Sequence, residues 1–475
     1  MPSANEFDLV VLGGGTGGYV AAIRASQLGL KVAIVEKEKL GGTCLHRGCI
    51  PSKALLRSAE VFHTLKQCEE YGVEASNVSI NFSKMQLRKQ KIIDQLYKGV
   101  QHLMKKGNIT VFQGVGRIMG PSIFSPQAGA VAVSGENGES EILVPKYLLI
   151  ATGSRPRTLP GIEIDGNYVM TSDEALELKE LPQSIVIVGG GVIGIEWASM
   201  LSDLGVRVEV LEFADRILPA EDPDISKEMT RLLKKRKVGL HTGAKVLSES
   251  LRINQNGICI QAESNGNITE FQADKLLLSV GRMANIENMG LENTEIKIIR
   301  GVIQVSEQYQ TAESHIYAIG DVIGGLQLAH VASHEGITAV EHMAGLNPLP
   351  IDYNMVPKVT YGRTEVASVG YTEPEAKEKG FNLKTGTFPF RAIGKALVFG
   401  EYDGFVKLVV DKHSDDLLGV HMIGPHVSDL ISEGTLARVL DATPWEMGKT
   451  IHPHPTLSEI MGEVALAVQG QGIHS

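Results

Sequence analysis

An internal repeat constrains the fold of this chain more than any other feature of its sequence. The segment FDLVVLGGGTGGYVAAIRASQLGLKVAIVEKE, which begins at Phe7, matches SIVIVGGGVIGIEWASMLSDLGVRVEVLEFAD, which begins at Ser184. Each copy reads as a strand, a GxGxxG turn, a helix, a second strand and an acidic residue, the order of a dinucleotide-binding βαβ unit. The repeat therefore predicts an α/β fold with two Rossmann-like domains. The alternative, a turn that needs glycine only for packing, would have to arise twice at the same spacing.

Both copies place glycines and a carboxylate where such a unit contacts its dinucleotide. The first glycine permits the tight turn, the second lets backbone approach the pyrophosphate, and the third packs the helix on the strand. The helix N-terminus supplies N–H donors to the phosphates, and the acid accepts from the adenosine ribose hydroxyls. These positions are Gly13, Gly15, Gly18 and Glu36 in the first copy, and Gly189, Gly191, Gly194 and Glu212 in the second.

Two dinucleotide sites in one chain suggest a flavin beside a nicotinamide. Glu212 bears on the second site, because a carboxylate there accepts from a free ribose 2′-OH and repels a 2′-phosphate. No arginine follows closely in VLEFAD to bind such a phosphate, and Arg216 is the nearest one. The sequence therefore predicts NAD(H) in preference to NADP(H).

The stretch GGTCLHRGCIPSK, residues 41–53, holds two of the four cysteines of the chain, five positions apart. In a regular helix that spacing gives a rise of about 7.5 Å, too long for a bridge. Gly48 lets the backbone bend, and Pro51 predicts an irregular first turn in the helix that follows. We interpret Cys44 and Cys49 as a redox pair on a distorted helix start. Two unrelated buried cysteines, or half of a metal site, stay open as alternatives.

Composition narrows the classes of protein that the chain can belong to. Its 475 residues suggest about three domains, and 43% hydrophobic with 21% charged residues is typical of soluble globular proteins. A formal charge of −10 argues against nucleic acid or anionic membrane as a partner and is compatible with a basic protein. The start MPSANEF lacks the pattern of a signal peptide, and no window is apolar enough to span a membrane. Few cysteines in a long chain fit a reducing compartment, so a cytoplasmic location is expected.

The pattern of apolar, polar and glycine residues changes along the chain. Residues 143–161 and 273–285 are apolar strands that run into glycine-rich crossings, which predict domain boundaries. From about Leu349, alternating segments such as EVASVGYTE, FVKLVVD and LLGVHMIGP predict an antiparallel sheet, and VSDLISEGTLARVL predicts an amphipathic helix. No glycine fingerprint occurs in this part, so it reads as a further domain without a nucleotide of its own.

These motifs make the chain similar to the flavin disulfide reductases over essentially its whole length. The resemblance is carried by GGGTGG, GGTCLHRGCIPSK, ATGSRP, GGGVIGIE, SVGR, IGDVIGG, EVASVGYTE and HPHPTLSE. It implies a homodimer with two Rossmann-like domains, for FAD and NAD, and a C-terminal α+β dimerisation domain. The implied boundaries are 1–146 for the FAD-binding domain, 147–280 for the NAD-binding domain, 281–348 for the central domain that completes the FAD site, and 349–475 for the interface domain.

The resemblance also implies a role for each residue around the cysteine motif. Cys44 matches the cysteine that exchanges with a substrate dithiol, and Cys49 the one that lies against the flavin and passes electrons to it. Lys53 matches a lysine near the flavin N5 that pairs with a glutamate, here Glu196. A cation four residues beyond Cys49 lies one helical turn away and favours a thiolate. By itself, Lys53 is as easily explained as a solvated helix lysine.

HPHPTLSE matches the segment that supplies the catalytic base in this family. Family matching selects His454, with Glu459 as its orienting partner, and leaves His452 as a weaker candidate. Histidine titrates near neutral pH, and a carboxylate can hold the imidazole in one tautomer. Without the cysteine motif, the octapeptide HPHPTLSE would be interpreted as a loop with surface histidines more readily than as a catalytic site.

Further residues match family contacts to the cofactors. Asp321 matches the ligand of the FAD ribitol, and the backbone at Ala329 and His330 matches a helix start near the flavin pyrimidine, where anionic charge is stabilised. The remaining matches are Gly42, Thr43, Lys53, Gly116, Thr152, Gly153 and Ser154 for FAD, and Gly281 for NAD. No metal site is implied.

Within the family, the chain is most similar to the branch that serves 2-oxo acid dehydrogenase complexes, the branched-chain complex among them. This implies oxidation of protein-bound dihydrolipoyl groups with reduction of NAD⁺, and a lipoyl-bearing acyltransferase core as partner. A glutathione-type reductase normally uses NADPH, which Glu212 disfavours. Mercuric and large thioredoxin reductases need a C-terminal cysteine pair, and no cysteine follows Cys259. A non-catalytic flavoprotein scaffold is disfavoured because the cysteine and histidine motifs are intact.

Overall fold

The computed structural model describes residues 5–121, 128–135 and 140–474. Residues 1–4, on which the signal-peptide prediction partly depends, lie outside the described residues. The strands are β1 (Asn5–Leu12), β2 (Val32–Glu36), β3 (Thr110–Gln113), β4 (Val115–Ile118), β5 (Val131–Ser134), β6 (Ser140–Ile150), β7 (Ser154–Pro156), β8 (Val169–Met170), β9 (Ser184–Val188), β10 (Arg207–Leu211), β11 (Gly239–His241), β12 (Lys245–Asn254), β13 (Gly257–Ser264), β14 (Asn267–Ala273), β15 (Lys275–Leu278), β16 (Arg282–Ala284), β17 (Ile298–Ile299), β18 (Val302–Ile303), β19 (Ile316–Ala318), β20 (Lys358–Thr360), β21 (Glu365–Gly370), β22 (Leu383–Pro389), β23 (Phe405–Asp411) and β24 (Leu417–Gly424). The α-helices are α1 (Thr16–Gln27), α2 (Gly42–His46), α3 (Cys49–Lys66), α4 (Phe82–Lys106), α5 (Ser172–Ala175), α6 (Val192–Asp203), α7 (Pro223–Lys235), α8 (Ala329–Met343), α9 (Glu373–Glu378), α10 (Gly394–Phe399), α11 (Val427–Val439), α12 (Pro444–Lys449) and α13 (Glu459–Val468).

The chain divides into two structural units. The chain passes from one unit to the other near residues 157 and 281, and both of these positions fall inside the glycine-rich crossings predicted from the sequence. The four-domain division itself stays a prediction. Unit 1 comprises Met1–Ala54, Lys84–Arg157 and Gly281–Ile351, and unit 2 comprises Leu55–Ser83, Thr158–Val280 and Asp352–Ser475.

Unit 1 is built on a sheet with the strand order β3-β2-β1-β6-β5-β4, in which β19 also pairs with β6. The pairs β3-β2, β2-β1, β1-β6 and β6-β19 are parallel, and β4 and β5 add antiparallel strands. The sequence of β2, VAIVE, is buried at every position, as expected for a parallel strand covered on both faces. Gly13 follows the carboxyl end of β1, so the first glycine turn lies at the edge of the sheet where nucleotides bind in such folds.

Unit 2 contains a second parallel sheet of the same kind. Its strand order is β11-β10-β9-β15-β8, and β9, with the sequence SIVIV, is buried throughout. Gly189 follows β9, and α6 begins directly after the second glycine turn. A separate antiparallel sheet, β12-β13-β14, belongs to the same unit. The two-Rossmann prediction is confirmed in its strand order and in the position of both turns.

The C-terminal part of unit 2 forms the antiparallel sheet that the sequence predicts. Its order is β20-β21-β24-β23-β22, and α11 and α13 pack against it. The three segments read as strands correspond to β21, β23 and β24, and the predicted amphipathic helix is α11. The interior is apolar, with Phe388, Phe390 and Met422 fully buried.

One buried ion network joins this sheet to α7 within unit 2. The Lys407 ammonium lies 3.0 Å from Asp222, 2.6 Å from Asp224 and 2.8 Å from Glu373, and its side chain is 3% exposed. Burial acts to lower the pKa of Lys407, but hydrogen bonds to these carboxylates outweigh it and raise the pKa above its ordinary value. The lysine therefore stays charged and ties the start of α7 to β23. Among the described residues, no helix is long and apolar enough to cross a membrane.

Candidate functional site

The two glycine turns have the same geometry. Gly13 and Gly189 adopt φ of 102° and 109°, a region that residues with a side chain rarely enter. A Cβ on Gly13 would overlap the carbonyl oxygen of Ala151, the residue that follows β6. A Cβ on Gly189 would overlap the carbonyl oxygen of Ser279, which follows β15. The glycine requirement therefore comes from a close backbone crossing at the carboxyl edge of each sheet.

The acids at the ends of β2 and β10 hold these turns in place. Glu36 accepts hydrogen bonds from the N–H of Gly14 at 2.7 Å and of Glu38 at 2.8 Å. Glu212 accepts from the N–H of Gly190 at 2.5 Å and of Ala214 at 2.6 Å, the same pattern in the second copy. Burial raises the pKa of Glu36, and the bond from Gly14 offsets part of that rise. Each carboxylate is thus fixed beside its turn, as a ribose ligand must be.

The residues around both turns fit a bound dinucleotide. Gly15 and Gly191 are the N-caps of α1 and α6, and among the described residues no side chain caps either helix. A Cβ on Gly191 would meet nothing within 4 Å, and a Cβ on Gly15 would reach only the Cα of Gly42, at 3.9 Å. By contrast, α5, α9 and α12 each carry a threonine capping box. The N–H groups of α1 and α6 are therefore open to a phosphate, which is the ligand that such helix starts attract.

Gly42 brings a second helix start to the first turn. It begins α2, has φ of 58°, and lies so close to Gly15 that a Cβ would be 2.6 Å from the Gly15 Cα. Thr43 follows it and is exposed. The sequence-predicted pyrophosphate contacts Gly13, Gly15, Gly42 and Thr43 thus lie in one region of unit 1.

The cysteine pair spans a break between two helices. Helix α2 ends at His46, α3 begins at Cys49, and Arg47 between them has φ of −138°. The expected irregular first turn is therefore replaced by a break ahead of the helix. Pro51 lies within the first turn of α3, where its missing N–H costs no helical bond.

Both cysteines are in the dithiol form. The Cys44 side chain hydrogen-bonds with that of Cys49 and with that of Thr16, and the charge of Lys53 acts on it. The bond with Cys49, followed by burial, raises the pKa of the Cys44 thiol well above its ordinary value. Cys44 therefore holds its proton firmly, and Cys49, its hydrogen-bond partner, is exposed. Sequence reasoning missed Thr16, whose only signal was its place beside the first glycine turn.

Asp321 lies in a polar cluster of unit 1. The Ser154 hydroxyl donates to the Asp321 carboxylate, and the Arg282 Nε donates to the Ser154 hydroxyl at 2.7 Å. Nearby, the N–H of Gly320 donates to the buried Glu335 carboxylate at 2.6 Å. Arg282 was quoted only as part of the SVGR motif, and its role in holding Ser154 was not predicted.

The other residues matched to FAD, and Gly281, which is matched to NAD, occupy defined positions in unit 1. Ala329 and His330 begin α8, and among the described residues no side chain caps that helix. The Thr152 hydroxyl donates to the carbonyl of Asn285 at 2.8 Å. Gly153 and Gly281 have positive φ, and a Cβ on either would meet nothing within 4 Å. Gly116 in β4 packs against Leu12 and Val35, which leaves no room for a Cβ.

The histidine motif separates into two pairs. His454 Nδ1 lies 2.8 Å from Glu459, and the His454 side chain is 78% exposed. Burial alone would raise the pKa of Glu459, but the bonds from His454 and from the Thr456 N–H hold it below its usual value. An ionised carboxylate only accepts, so Nδ1 carries a proton, and in the neutral imidazole Nε2 is the nitrogen with the free lone pair.

His452 faces inward instead. Its Nε2 lies 2.8 Å from Glu433, its side chain is 8% exposed, and that hydrogen bond raises the pKa of His452. A buried, paired imidazole is poorly placed for exchange with a substrate, so the choice of His454 over His452 is supported by exposure. Glu433 had no signal in the sequence.

Glu196, the proposed partner of Lys53, lies in α6 of unit 2. Its side chain is buried and accepts from the N–H of Tyr361 at 3.0 Å. The pairing of Lys53 with Glu196 stays a prediction.

The sequence of this chain matches a known protein family and several named proteins. Residues 7–336 match the model of the pyridine nucleotide-disulphide oxidoreductases, and residues 356–465 match the dimerisation domain of the same family. The chain is 66% identical over 472 residues to the dihydrolipoyl dehydrogenase of Bacillus subtilis strain 168, covering 99% of this chain and 100% of that one. It is 42% identical over 473 residues to the dihydrolipoyl dehydrogenase of Zymomonas mobilis, with 99% and 100% covered.

Solved structures agree with this placement. The crystal structure of LpdA from Mycobacterium tuberculosis matches with a TM-score of 0.89 at 26% identity, covering 97% of this chain and 99% of that one. The HOCl-induced flavoprotein disulfide reductase RclA of Escherichia coli matches with a TM-score of 0.83 at 26% identity, covering 96% and 99%. The predicted fold class, including the dimerisation domain, is confirmed.

Proposed function

The chain belongs to the pyridine nucleotide-disulphide oxidoreductase family, and on that premise we propose that it acts as a dihydrolipoyl dehydrogenase. It is an oxidoreductase that uses FAD and NAD. Its substrate is a dihydrolipoyl group carried by another protein, which it oxidises to the lipoyl disulfide while NAD⁺ is reduced to NADH. The observation that carries the proposal is the contact between the Cys44 and Cys49 thiols beside the charge of Lys53.

In the proposed reaction, Cys44 and Cys49 enter as a disulfide and leave as the observed dithiol. One substrate thiolate attacks the Cys44 sulfur, the bond between the two cysteines breaks, and Cys49 departs as a thiolate. The second substrate thiol, deprotonated by His454, then displaces Cys44 and closes the lipoyl ring. Cys44 leaves as a thiolate and takes the proton from His454, which its raised pKa favours, and the negative charge stays on Cys49.

Each remaining residue has a proposed part in the same reaction. Glu459 holds the His454 imidazole with Nε2 available as base, and Lys53 stabilises the Cys49 thiolate. Glu196 orients Lys53. Bound FAD supplies the hydride chemistry that links the dithiol to NAD⁺. The groups proposed to hold FAD are Gly13, Gly15, Gly18, Glu36, Gly42, Thr43, Lys53, Gly116, Thr152, Gly153, Ser154, Asp321, Ala329 and His330, and those for NAD are Gly189, Gly191, Gly194, Glu212 and Gly281.

The setting of the enzyme is also part of the proposal. The chain carries the family's dimerisation domain, and we propose a homodimer with segments 1–146, 147–280, 281–348 and 349–475 as its FAD-binding, NAD-binding, central and interface domains. Its partner is the lipoyl-bearing acyltransferase core of a 2-oxo acid dehydrogenase complex. A cytoplasmic location is supported by the bacterial relatives and by the small number of cysteines, four in 475 residues.

Spectra of two cysteine variants test the assignment. Cys49→Ser removes the thiolate beside the flavin, so we expect the long-wavelength thiolate-to-flavin absorbance to vanish and lipoamide turnover to stop, with FAD retained. Cys44→Ser leaves Cys49 as a free thiolate, so turnover stops but the absorbance persists without reductant. The matched control is Cys259→Ser, which should behave as wild type. The reversed pattern of absorbance would show that the two cysteines have exchanged roles.

A further inference from the structure

Helix α4 carries an unusual concentration of positive charge for this protein. The sequence FSKMQLRKQKIIDQLYKGVQHLMKK holds seven lysines and arginines and a single acid, Asp94, in a chain whose formal charge is −10. The proposed function uses none of these residues. The positive charge is therefore a separate property of this surface.

Four of the lysines recur at intervals of seven residues. They are Lys84, Lys91, Lys98 and Lys105, here called the lysine stripe, and all four are exposed. Seven residues are close to two helical turns, so the four side chains stand along one side of α4 at steps of about 10.5 Å. Arg88, His102 and the acid Asp94 each lie one helical turn from two of these lysines and are also exposed.

The opposite side of α4 is committed to the core of unit 1. Ile93, Val100 and Met104 are buried, and Val100 and Met104 belong to the apolar cluster beneath the parallel sheet. The helix is therefore fixed in rotation, with the lysine stripe turned to solvent. Among the residues that the structure describes, no carboxylate lies within ion-pair distance of Lys91, Lys98 or Lys105, and Asp94 accepts from Gln90.

We propose that the lysine stripe is a docking surface for an acidic α-helix of a partner protein. A second helix lying alongside α4 at the shallow angle of helix pairs repeats its facing side chains every seven residues, which matches the spacing of the stripe. An extended strand repeats one face about every 6.8 Å, which does not match steps of about 10.5 Å. The fitting ligand is therefore a helix with aspartate or glutamate at seven-residue intervals.

Other polyanions fit this surface less well. Single-stranded nucleic acid is held by exposed aromatic rings on which bases stack, and the two aromatic residues of α4, Phe82 and Tyr97, are not exposed. A helix that lies on an anionic bilayer inserts a continuous apolar face. In α4 the residues Ile93, Val100 and Met104 are buried, and the exposed leucines Leu87 and Leu96 stand nine residues apart, on opposite sides of the helix, so they form no such face. Outside α4 the chain is more acidic than its total charge indicates, so a broad anionic surface would be repelled beyond the stripe.

Because the contacts are charge pairs at an exposed surface, the docking is reversible and depends on salt. Exposed ion pairs are individually weak, and the Debye length falls from about 10 Å at 0.1 M salt to about 3 Å at 1 M. We expect binding at low ionic strength that is lost in 1 M NaCl. Turnover of free dihydrolipoamide should not depend on the stripe.

The test measures binding of a fluorescent helical peptide to the full-length FAD-loaded protein by fluorescence anisotropy. The peptide spans about four heptads, with glutamate at two positions in each heptad on one face. A second peptide of identical composition has its glutamates distributed around the helix. Wild-type protein should bind the first peptide more tightly, and the variant Lys91→Glu/Lys98→Glu/Lys105→Glu should weaken that binding about tenfold or more.

A matched variant separates the lysine stripe from net charge. Lys227→Glu/Lys234→Glu/Lys245→Glu changes the same number of exposed lysines in unit 2 and should bind as wild type. An equal loss of peptide affinity in both variants, or equal affinity of wild type for both peptides, would overturn the proposal. Either result would mean that the peptide is attracted by net charge and not by the lysine stripe. Tighter binding of a single-stranded oligonucleotide or of anionic phosphatidylserine vesicles at the same sites would overturn the choice of an acidic helix.

Discussion

At the scale of single residues, the two acids at the ends of β2 and β10 show how far a repeated sequence repeats its chemistry. Glu36 and Glu212 each accept from the middle glycine of a GGG turn and from the N–H two residues beyond themselves. Each acid therefore holds its turn in place, and we propose that it also binds the ribose of the nucleotide.

Glu212 should make the enzyme strongly prefer NAD⁺. A 2′-phosphate would lie against the fixed carboxylate, and opposed like charges cost several kcal/mol, so we expect kcat/KM to favour NAD⁺ over NADP⁺ by about 10²-fold or more. Glu212→Gln should narrow that ratio, whereas Asp215→Asn, at an exposed position nearby, should leave it unchanged. Comparable kcat/KM for the two nucleotides in wild type would contradict the assignment.

His421 should make the fold sensitive to mild acid. Its side chain is fully buried on β24, its Nε2 lies 2.9 Å from the Tyr371 carbonyl, and burial lowers the pKa of His421 despite the nearby Asp222 carboxylate. A base with a lowered folded-state pKa stabilises the fold above its unfolded value of about 6.5, and this stability is lost as the pH falls. The melting temperature of wild type should therefore drop between pH 7.5 and 5.5.

Substitution of the same histidine tests its contribution. His421→Gln cannot be protonated, so its melting temperature should fall less over this pH range than that of wild type. His413→Gln, at an exposed position, is the control and should follow the wild-type curve. Parallel pH curves for wild type and His421→Gln would assign the acid sensitivity to another group.

At the scale of elements, the strand–turn–helix units explain which glycines serve the fold and which serve the ligand. Gly194 lies in the first turn of α6 against the Gly189 carbonyl, where any Cβ would overlap backbone. Gly191, three residues earlier, has φ of −76° and open space around its Cα. The same fingerprint thus contains a packing position and a position that we propose binds phosphate.

Two alanine variants should separate these roles. Gly194→Ala forces α6 away from β9, so we expect a loss of about 1–3 kcal/mol in the free energy of unfolding. Gly191→Ala fits the protein but occupies the phosphate position, so its stability should stay near wild type while KM for NAD⁺ rises about tenfold. Urea unfolding and NAD⁺ kinetics measure both effects. A destabilised Gly191→Ala variant would show that this position also serves packing.

At the scale of the whole molecule, the proposed catalytic groups lie far apart in the chain. Cys44 and Cys49 belong to unit 1, and His454 and Glu459 belong to the dimerisation domain near the C-terminus. His454 is held by Glu459 yet largely exposed, as a group that acts on another surface must be. A two-fold dimer in which each chain lends its histidine to the partner would contain two equivalent composite sites.

Mixed dimers test this shared-site hypothesis. Cys49→Ser and His454→Gln chains should each be inactive, but a hybrid dimer would have one site with both defects and one with neither. Random pairing makes half the dimers hybrids, so roughly a quarter of wild-type lipoamide activity should return on co-refolding. Activity near zero at every mixing ratio would falsify the model, because each site would then use the histidine of its own chain.

Local patterns in the sequence determined much of this protein. The buried apolar runs of β1, β2 and β9, the two glycine turns and their acids were readable because they depend on residues close in the chain. The C-terminal antiparallel sheet was readable from alternating residues for the same reason. The family resemblance then supplied the roles of the cysteines, Lys53 and His454, which spacing alone left open.

Only the tertiary structure decided which side chains meet across long separations. It placed Thr16 against Cys44, Arg282 on Ser154, Glu433 on His452 and Lys407 among three carboxylates, and it turned the lysine stripe of α4 to solvent. Such contacts arise when elements pack, and a helix or strand pattern states which face is buried but not which residue lies opposite. Functional residues that lie within one short motif can therefore be predicted from the sequence. Functional contacts between residues of different helices and strands can be identified only once the fold is known.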